Sequence, residues 1–280
     1  MEPHNSLPHQ PLLPNAAPTN FDDDDARKTK TSSSNCGIVI RLLTIFFIGI
    51  ISVWANFEAS KGFDLTIINE DQHSLPGKRF HLFYVSNDKA TRILLNASKF
   101  VEHLLYDIPN VDHHWQYPKK QVSHVTLRLA SRNLSEPVAV HPSSGEESGF
   151  VIDLNPQIME DANVNHALAS AIQRGMARVW LWDGKSRAPP ELLAGIVEYI
   201  SMVAGVGDVK SYRITGEWPE CGRYVWWVDE DPKAVAKCLS YLEDKERGFI
   251  QRLNGGMKDR WHDRTVYDAV GVEAQQHLCG

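Results

Sequence analysis

The chain has 280 residues, 42% of them hydrophobic and 23% charged, a balance that excludes both a disordered polymer and a multi-pass membrane protein. The 29 Lys and Arg against 35 Asp and Glu leave a net charge of -6, which disfavours a nucleic-acid partner held by a positive field. Four cysteines with no Cys-x-x-Cys spacing rule out a disulfide-dense scaffold, a thiolate zinc site and a thioredoxin-type redox motif.

Residues 1–36 read as a disordered cytosolic tail. Five of the 15 prolines fall in the first 20 residues, Asp22 to Asp25 follow, and a Thr/Ser run extends to Ser34. Too little can be buried there to offset the entropy of ordering. From Leu42 to Ala55 the chain is nearly pure apolar sequence, broken only by Thr44 and Ser52, and counted from Gly37 to Phe57 the segment is 21 residues, close to the roughly 20 that cross a bilayer as a helix. Arg41 stands one turn inside, where it can snorkel to the headgroups. Arg27, Lys28, Lys30 and Arg41 flank the N-terminal side, with only Glu58 and Lys61 close on the other. The positive-inside tendency makes this a signal-anchor with a cytosolic N-terminus and a domain in the secretory-pathway lumen or outside the cell. The rival is a cleaved signal peptide ending at Val53-Trp54-Ala55. Its apolar region would begin about 40 residues in, later than the ordinary leader of about 15 to 30 residues. Sequons at Asn96-Ala-Ser98 and Asn133-Leu-Ser135 agree with a lumenal domain. Cys221, Cys238 and Cys279 then share an oxidising compartment, which allows one bridge of undetermined pairing.

Residues 58–77 read as a linker and 78–280 as the outer domain. Arg79 to Val85 reads as a strand and Ala90 to Tyr106 as an amphipathic helix with Ile93, Leu94, Phe100, Val101, Leu104 and Leu105 on its apolar stripe. Val125, Leu127 and Leu129 alternate with polar residues as a half-buried strand, and 138–141 and 150–154 read as further short strands. After Asn165 the period becomes helical. Leu168, Ile172, Met176 and Trp180 recur every fourth residue until Asp183-Gly184. Pro189 and Pro190 open a second helix over 192–204, closed by Gly205, and Asp231-Pro232 opens a third to Leu242 that extends towards Leu253. Strands followed by helices give an α+β domain with no internal repeat.

The most specific block runs Arg174-Gly-Met-Ala-Arg178-Val-Trp180-Leu-Trp182-Asp-Gly, then Pro189-Pro-Glu-Leu-Leu-Ala194-Gly195-Ile-Val-Glu198-Tyr199. It resembles the plant basic secretory protein family of zincin-like metallopeptidases, which reads His-Glu-x-x-His-Val-Trp-Gln-Trp-x-Gly followed by a Leu-Ile-Glu-Gly-Ile-Ala-Asp-Tyr-Val helix. The likeness covers about residues 79 to 265, including the Ala90 to Leu105 helix, Lys233 to Leu242 and Gly248 to Asn254. It implies a zincin-like fold with a small mixed sheet and a helical half.

The family's chemistry needs two imidazoles one helical turn apart, a third ligand and an open position for water, with a glutamate to take the water's proton. At those positions this chain has Arg174, Gly175 and Arg178, with Ala194 where the second helix carries glutamate and Glu198 at the aspartate position. A guanidinium stays protonated, has no free lone pair and repels a cation. Nor do the 12 histidines supply a substitute, because no two stand four apart; His113 and His114 lie in a polar loop. The expectation is a catalytically inactive, membrane-anchored member with no metal and no cofactor. Arg178 or Arg174 would pair with Glu198 in the space of the metal site. Its work would be recognition of a peptide, glycan or protein, with Trp180, Trp182, Glu198 and Tyr199 as cleft candidates. The alternatives are a divergent metallopeptidase with non-standard ligands, and a type II glycosyltransferase holding a hard cation on Asp229 and Asp231. Asp231 before Pro232 reads equally well as a helix N-cap.

Overall fold

The computed structural model describes residues 35–59, 62–107, 118–145, 148–207 and 226–270. The chain divides into two compact units, Met1–Ala55 and Asn56–Gly280.

The first unit carries helix α1, Asn35–Ala59, which begins in it and ends in the second. Its large apolar side chains, Leu42, Ile45, Phe46 and Phe47 among them, stand exposed, and Thr44 satisfies its hydroxyl within the helix by donating to the Ile40 carbonyl at 2.9 Å. Side chains are described over residues 39–53, about 22 Å of helical rise, against the roughly 30 Å of a bilayer core. Among the described residues no helix is long and apolar enough to cross a membrane. The expected span over 37–57 is thus present as a helix and not shown as a membrane crossing.

The second unit is a mixed α+β fold. Four strands, β1 (Asp64–Asn69), β2 (His124–Leu129), β3 (Val138–Pro142) and β4 (Gly149–Leu154), form one sheet in the order β1-β2-β4-β3. β1, β2 and β4 run parallel, with Leu65 opposite Val125 and Leu127 opposite Ile152; β3 closes the edge antiparallel to β4, with Val140 opposite Ile152. Val125, Leu127, Leu129, Ile152 and Leu154 are fully buried. They meet α3 (Lys89–Tyr106), through Leu94, Val101 and Leu105, and α4 (Val164–Trp180), through Leu168, Ile172 and Met176, in one core. α4 lies between α3 and α5 (Pro190–Val203) and also packs on β3 and β4; α5 packs on α6 (Pro232–Lys245).

Two expectations fail at the N-terminal end. Arg79 to Val85 is not a strand: α2, Leu75–Phe80, continues as a π turn over His81–Val85. Ser74 accepts from the Gly77 amide at 3.0 Å and Pro76 sits in the first turn, where its missing N–H costs nothing. Phe80 and Tyr84, four apart, are the buried pair. The strand is instead β1, inside the stretch expected to be a linker, and Phe63 just before it belongs to the core. The third expected helix forms as α6, and only its extension towards Leu253 breaks. Gly248 adopts φ 83° between α6 and α7 (Phe249–Gly256), a left-handed conformation that suits glycine. A last helix, α8, spans Thr265–Val270.

Candidate functional site

α4 starts at Asn163, whose side chain accepts from the His166 amide at 3.3 Å. Its period of four sends Leu168, Ile172 and Met176 inward, which leaves Arg174 and Arg178 together on a half-buried face. The two guanidinium groups then part company. Arg174 Nη2 lies 2.7 Å from Glu198 Oε2 on α5. Arg178 turns to the sheet edge, where Nη1 donates to the Val138 carbonyl at 3.3 Å and Nη2 meets Glu136 Oε2 at 3.1 Å. Of the two pairings expected for Glu198, Arg174 makes the one observed.

The Glu198 side chain is only 5% exposed, and burying a carboxylate is costly unless a cation stands beside it. Arg174 supplies that cation, at a position that the family resemblance gives to histidine. Between the arginines, Gly175 has no room for a side chain: a Cβ there would sit 2.7 Å from Ile152 Cγ2 and 3.4 Å from Val138 Cγ2. α4 lies close against β3 and β4, so a side chain at 175, the position the family resemblance gives to the water-activating glutamate, would require either the helix or the Ile152 side chain to shift. Ala194, half-buried on α5 one turn before Glu198, contributes no ligand atom. Among the described residues no group of three or more His, Cys, Asp or Glu side chains is placed to hold a metal. The donor set at this site therefore does not fit zinc.

The aromatic candidates are distributed differently. Trp180 is 3% exposed; its indole N–H donates to Ser98 Oγ at 2.9 Å and its ring meets Phe63 and Tyr106 edge-on, both at 6.3 Å. Tyr199 is 4% exposed, and burial, with Glu243 and Asp244 adding, pushes its phenol well above the usual range. Trp182 is half-buried. Trp226 and Trp227 are buried and stack edge-on at 5.4 Å. These rings serve the core more than a ligand.

The open space beside Arg174 is a polar cleft of about 520 Å³, walled by Glu136 and Pro137, by Gln157, and by His166, Ser170 and Arg174 of α4. Asn155, only 5% exposed, fixes the wall by donating to the Leu134 carbonyl at 2.8 Å and accepting from the Gln157 amide at 3.1 Å. Sequence reasoning reached Arg174 and Glu198 through helical periodicity and family pattern. It missed Glu136 and Asn155, which sit in irregular segments with no periodic signal.

Asp231 accepts from the Lys233 amide at 2.7 Å as the N-cap of α6, and Asp229 is exposed at φ 59°. This is the helix-cap role rather than a shared cation site. Asn96, on α3, and Asn133, in a loop, are both exposed. His113, His114, Cys221 and Cys279 lie outside the described residues, while Cys238, buried on α6, is disulfide-bonded.

A family model described as peptidase of plants and bacteria matches residues 60–279. The chain belongs to the basic secretory protein family. The match takes in β1 and the stretch around α2, and so begins well before the expected boundary at residue 78. No curated protein and no solved structure matches the chain. Its peptidase-like domain is thus shown by family.

Proposed function

We propose that this basic secretory protein is catalytically inactive, that it is anchored in a membrane by α1, and that it binds a peptide, glycan or protein ligand without cutting it. The observation that carries the reading is the 2.7 Å ion pair between Arg174 and Glu198. A permanently cationic group occupies the position of a metal ligand and neutralises the nearest carboxylate, so neither can serve a metal. The close seat of Gly175 on Ile152 adds a steric reason. The small mixed sheet followed by a helical half supports the zincin-like architecture that the family implies. The cleft beside Arg174 is the proposed ligand groove, since Trp180 and Tyr199 are occupied in the core.

A cytosolic N-terminus and an outer domain in the secretory-pathway lumen or outside the cell agree with the disulfide at Cys238, which persists in oxidising compartments, and with the exposed sequons at Asn96 and Asn133. Elemental analysis of the purified full chain, with peptide hydrolysis assayed after zinc is added, tests the reading. The expected result is no stoichiometric zinc and no cleavage. One zinc per chain, or cleavage that a chelator abolishes, would restore the peptidase.

A further inference from the structure

Among the described residues of the second unit, the three most exposed large apolar side chains are Leu82 at 61%, Leu75 at 58% and Phe83 at 55%. All three fall on one short segment, α2 and its π turn. With Lys78 and Arg79, also exposed, they occupy positions i, i+3, i+4, i+7 and i+8, a single helix face. Gly77, Phe80 and Tyr84 are buried on the opposite side. The π turn is closed by the Ser86 amide donating to the His81 carbonyl at 2.9 Å, and such turns are frequent at functional sites. The outward face is therefore amphipathic in the sense of an interfacial helix, with leucine and phenylalanine alongside basic side chains.

We propose that this face, Leu75, Lys78, Arg79, Leu82 and Phe83, rests in the headgroup region of the bilayer that holds α1. The inference rests on the membrane anchoring proposed above. Charge complementarity selects lipid: from Leu75 to Ser86 there are two Lys or Arg and no Asp or Glu, in a chain of net charge -6. Lys78 and Arg79 match phosphate groups while the apolar side chains enter below them. Tethering acts in the same direction. Leu75 follows Ala59, the end of α1, by 16 residues, at most about 55 Å of extended chain, so an anchored α1 keeps the face at high effective concentration near the lipid. A second copy of the chain fits less well, because three apolar side chains fall short of the roughly 800 Å² per partner of a stable interface.

The test is photo-crosslinking of the full chain, reconstituted into phosphatidylcholine vesicles carrying a diazirine-labelled acyl chain, with adducts mapped by mass spectrometry. Adducts are expected in 37–57 and in 75–86. The double variant Leu82→Glu/Phe83→Glu should lose those in 75–86 by at least about tenfold, the equivalent of one large side chain withdrawn from an apolar environment, with 37–57 and the circular dichroism spectrum unchanged. Adducts in 37–57 alone would overturn this inference and leave the anchor standing. Adducts in 75–86 alone would overturn the anchor and with it the inference that rests on it, and their absence from both would overturn the two together. A dimer in detergent that the double variant dissolves would assign the face to a second copy instead.

Discussion

Glu198, its side chain only 5% exposed, has the Arg174 guanidinium at 2.7 Å, a charge-assisted contact largely withheld from water. The second arginine of the pair does different work. Arg178 and Glu136 meet at 3.1 Å with side chains 36% and 60% exposed, a geometry in which solvent screens most of the attraction. The two positions, both of which the family resemblance gives to histidine, should therefore respond unequally to truncation. Arg174→Ala leaves Glu198 without that guanidinium and should cost about 2 to 3 kcal/mol, below the full penalty for a fully buried pair because Arg174 is itself partly exposed. Arg178→Ala should cost less than about 1 kcal/mol. Urea denaturation of the two variants at neutral pH makes the comparison; equal losses would mean that Glu198 does not depend on Arg174.

At the scale of elements, the helical half is held by close approaches that a side chain would prevent. α5 crosses α6 at Gly195, where an added Cβ would overlap the Val235 side chain. Gly195→Ala should cost about 1 to 3 kcal/mol through overpacking. Val235→Ala in the same chain should recover part of that loss, because it empties the space the new methyl needs; a double-mutant cycle reads the coupling, and additive losses would place the strain elsewhere. The helices α3, α4 and α5 were legible in sequence because long apolar stripes of period 3.6 leave little choice, and β2 because Val125, Leu127 and Leu129 alternate. α2 was not, since Phe80, Leu82 and Tyr84 also alternate and mimic a strand; the Ser74 cap and Pro76 decide for helix. β1 was missed because Leu65, Ile67 and Ile68 make too short a run to be told from linker without its partner β2, about 60 residues on. The same limit applied at the site. Arg174 and Glu198 lie on helices whose faces can be counted, whereas Glu136, which meets Arg178 from a loop 42 residues away, carries no local signal.

For the molecule as a whole, Lys120 joins the segment leading into β2 to the end of α4. Its Nζ donates to the Leu181 carbonyl at 2.8 Å and lies 4.9 Å from the centre of the Phe150 ring and 5.6 Å from that of Trp182. Leu181 is the C-cap of α4, a terminus that favours a cation, yet burial dominates and pushes the amine down to about 8, with Asp183 only partly opposing. Tyr106, which donates to the neighbouring Trp180 carbonyl at 2.7 Å, is pushed the other way, up to about 12, chiefly by burial. The signs follow from which state holds the proton. Between pH of about 8 and the ordinary lysine value near 10.5, the unfolded chain retains a proton that folded Lys120 has released, so stability rises with pH. Above pH 10 the unfolded tyrosine ionises while folded Tyr106 keeps its proton to about 12, so stability falls again, and Tyr199 acts in the same sense. Stability should therefore climb from pH 8 to 10 and decline beyond it. Lys120→Met removes the titrating group and keeps the apolar stem, so it should flatten the climb while sparing the decline. Urea midpoints for the two proteins from pH 7 to 11 provide the measurement, and a climb that survives the substitution would show that Lys120 titrates alike in the folded and unfolded chain.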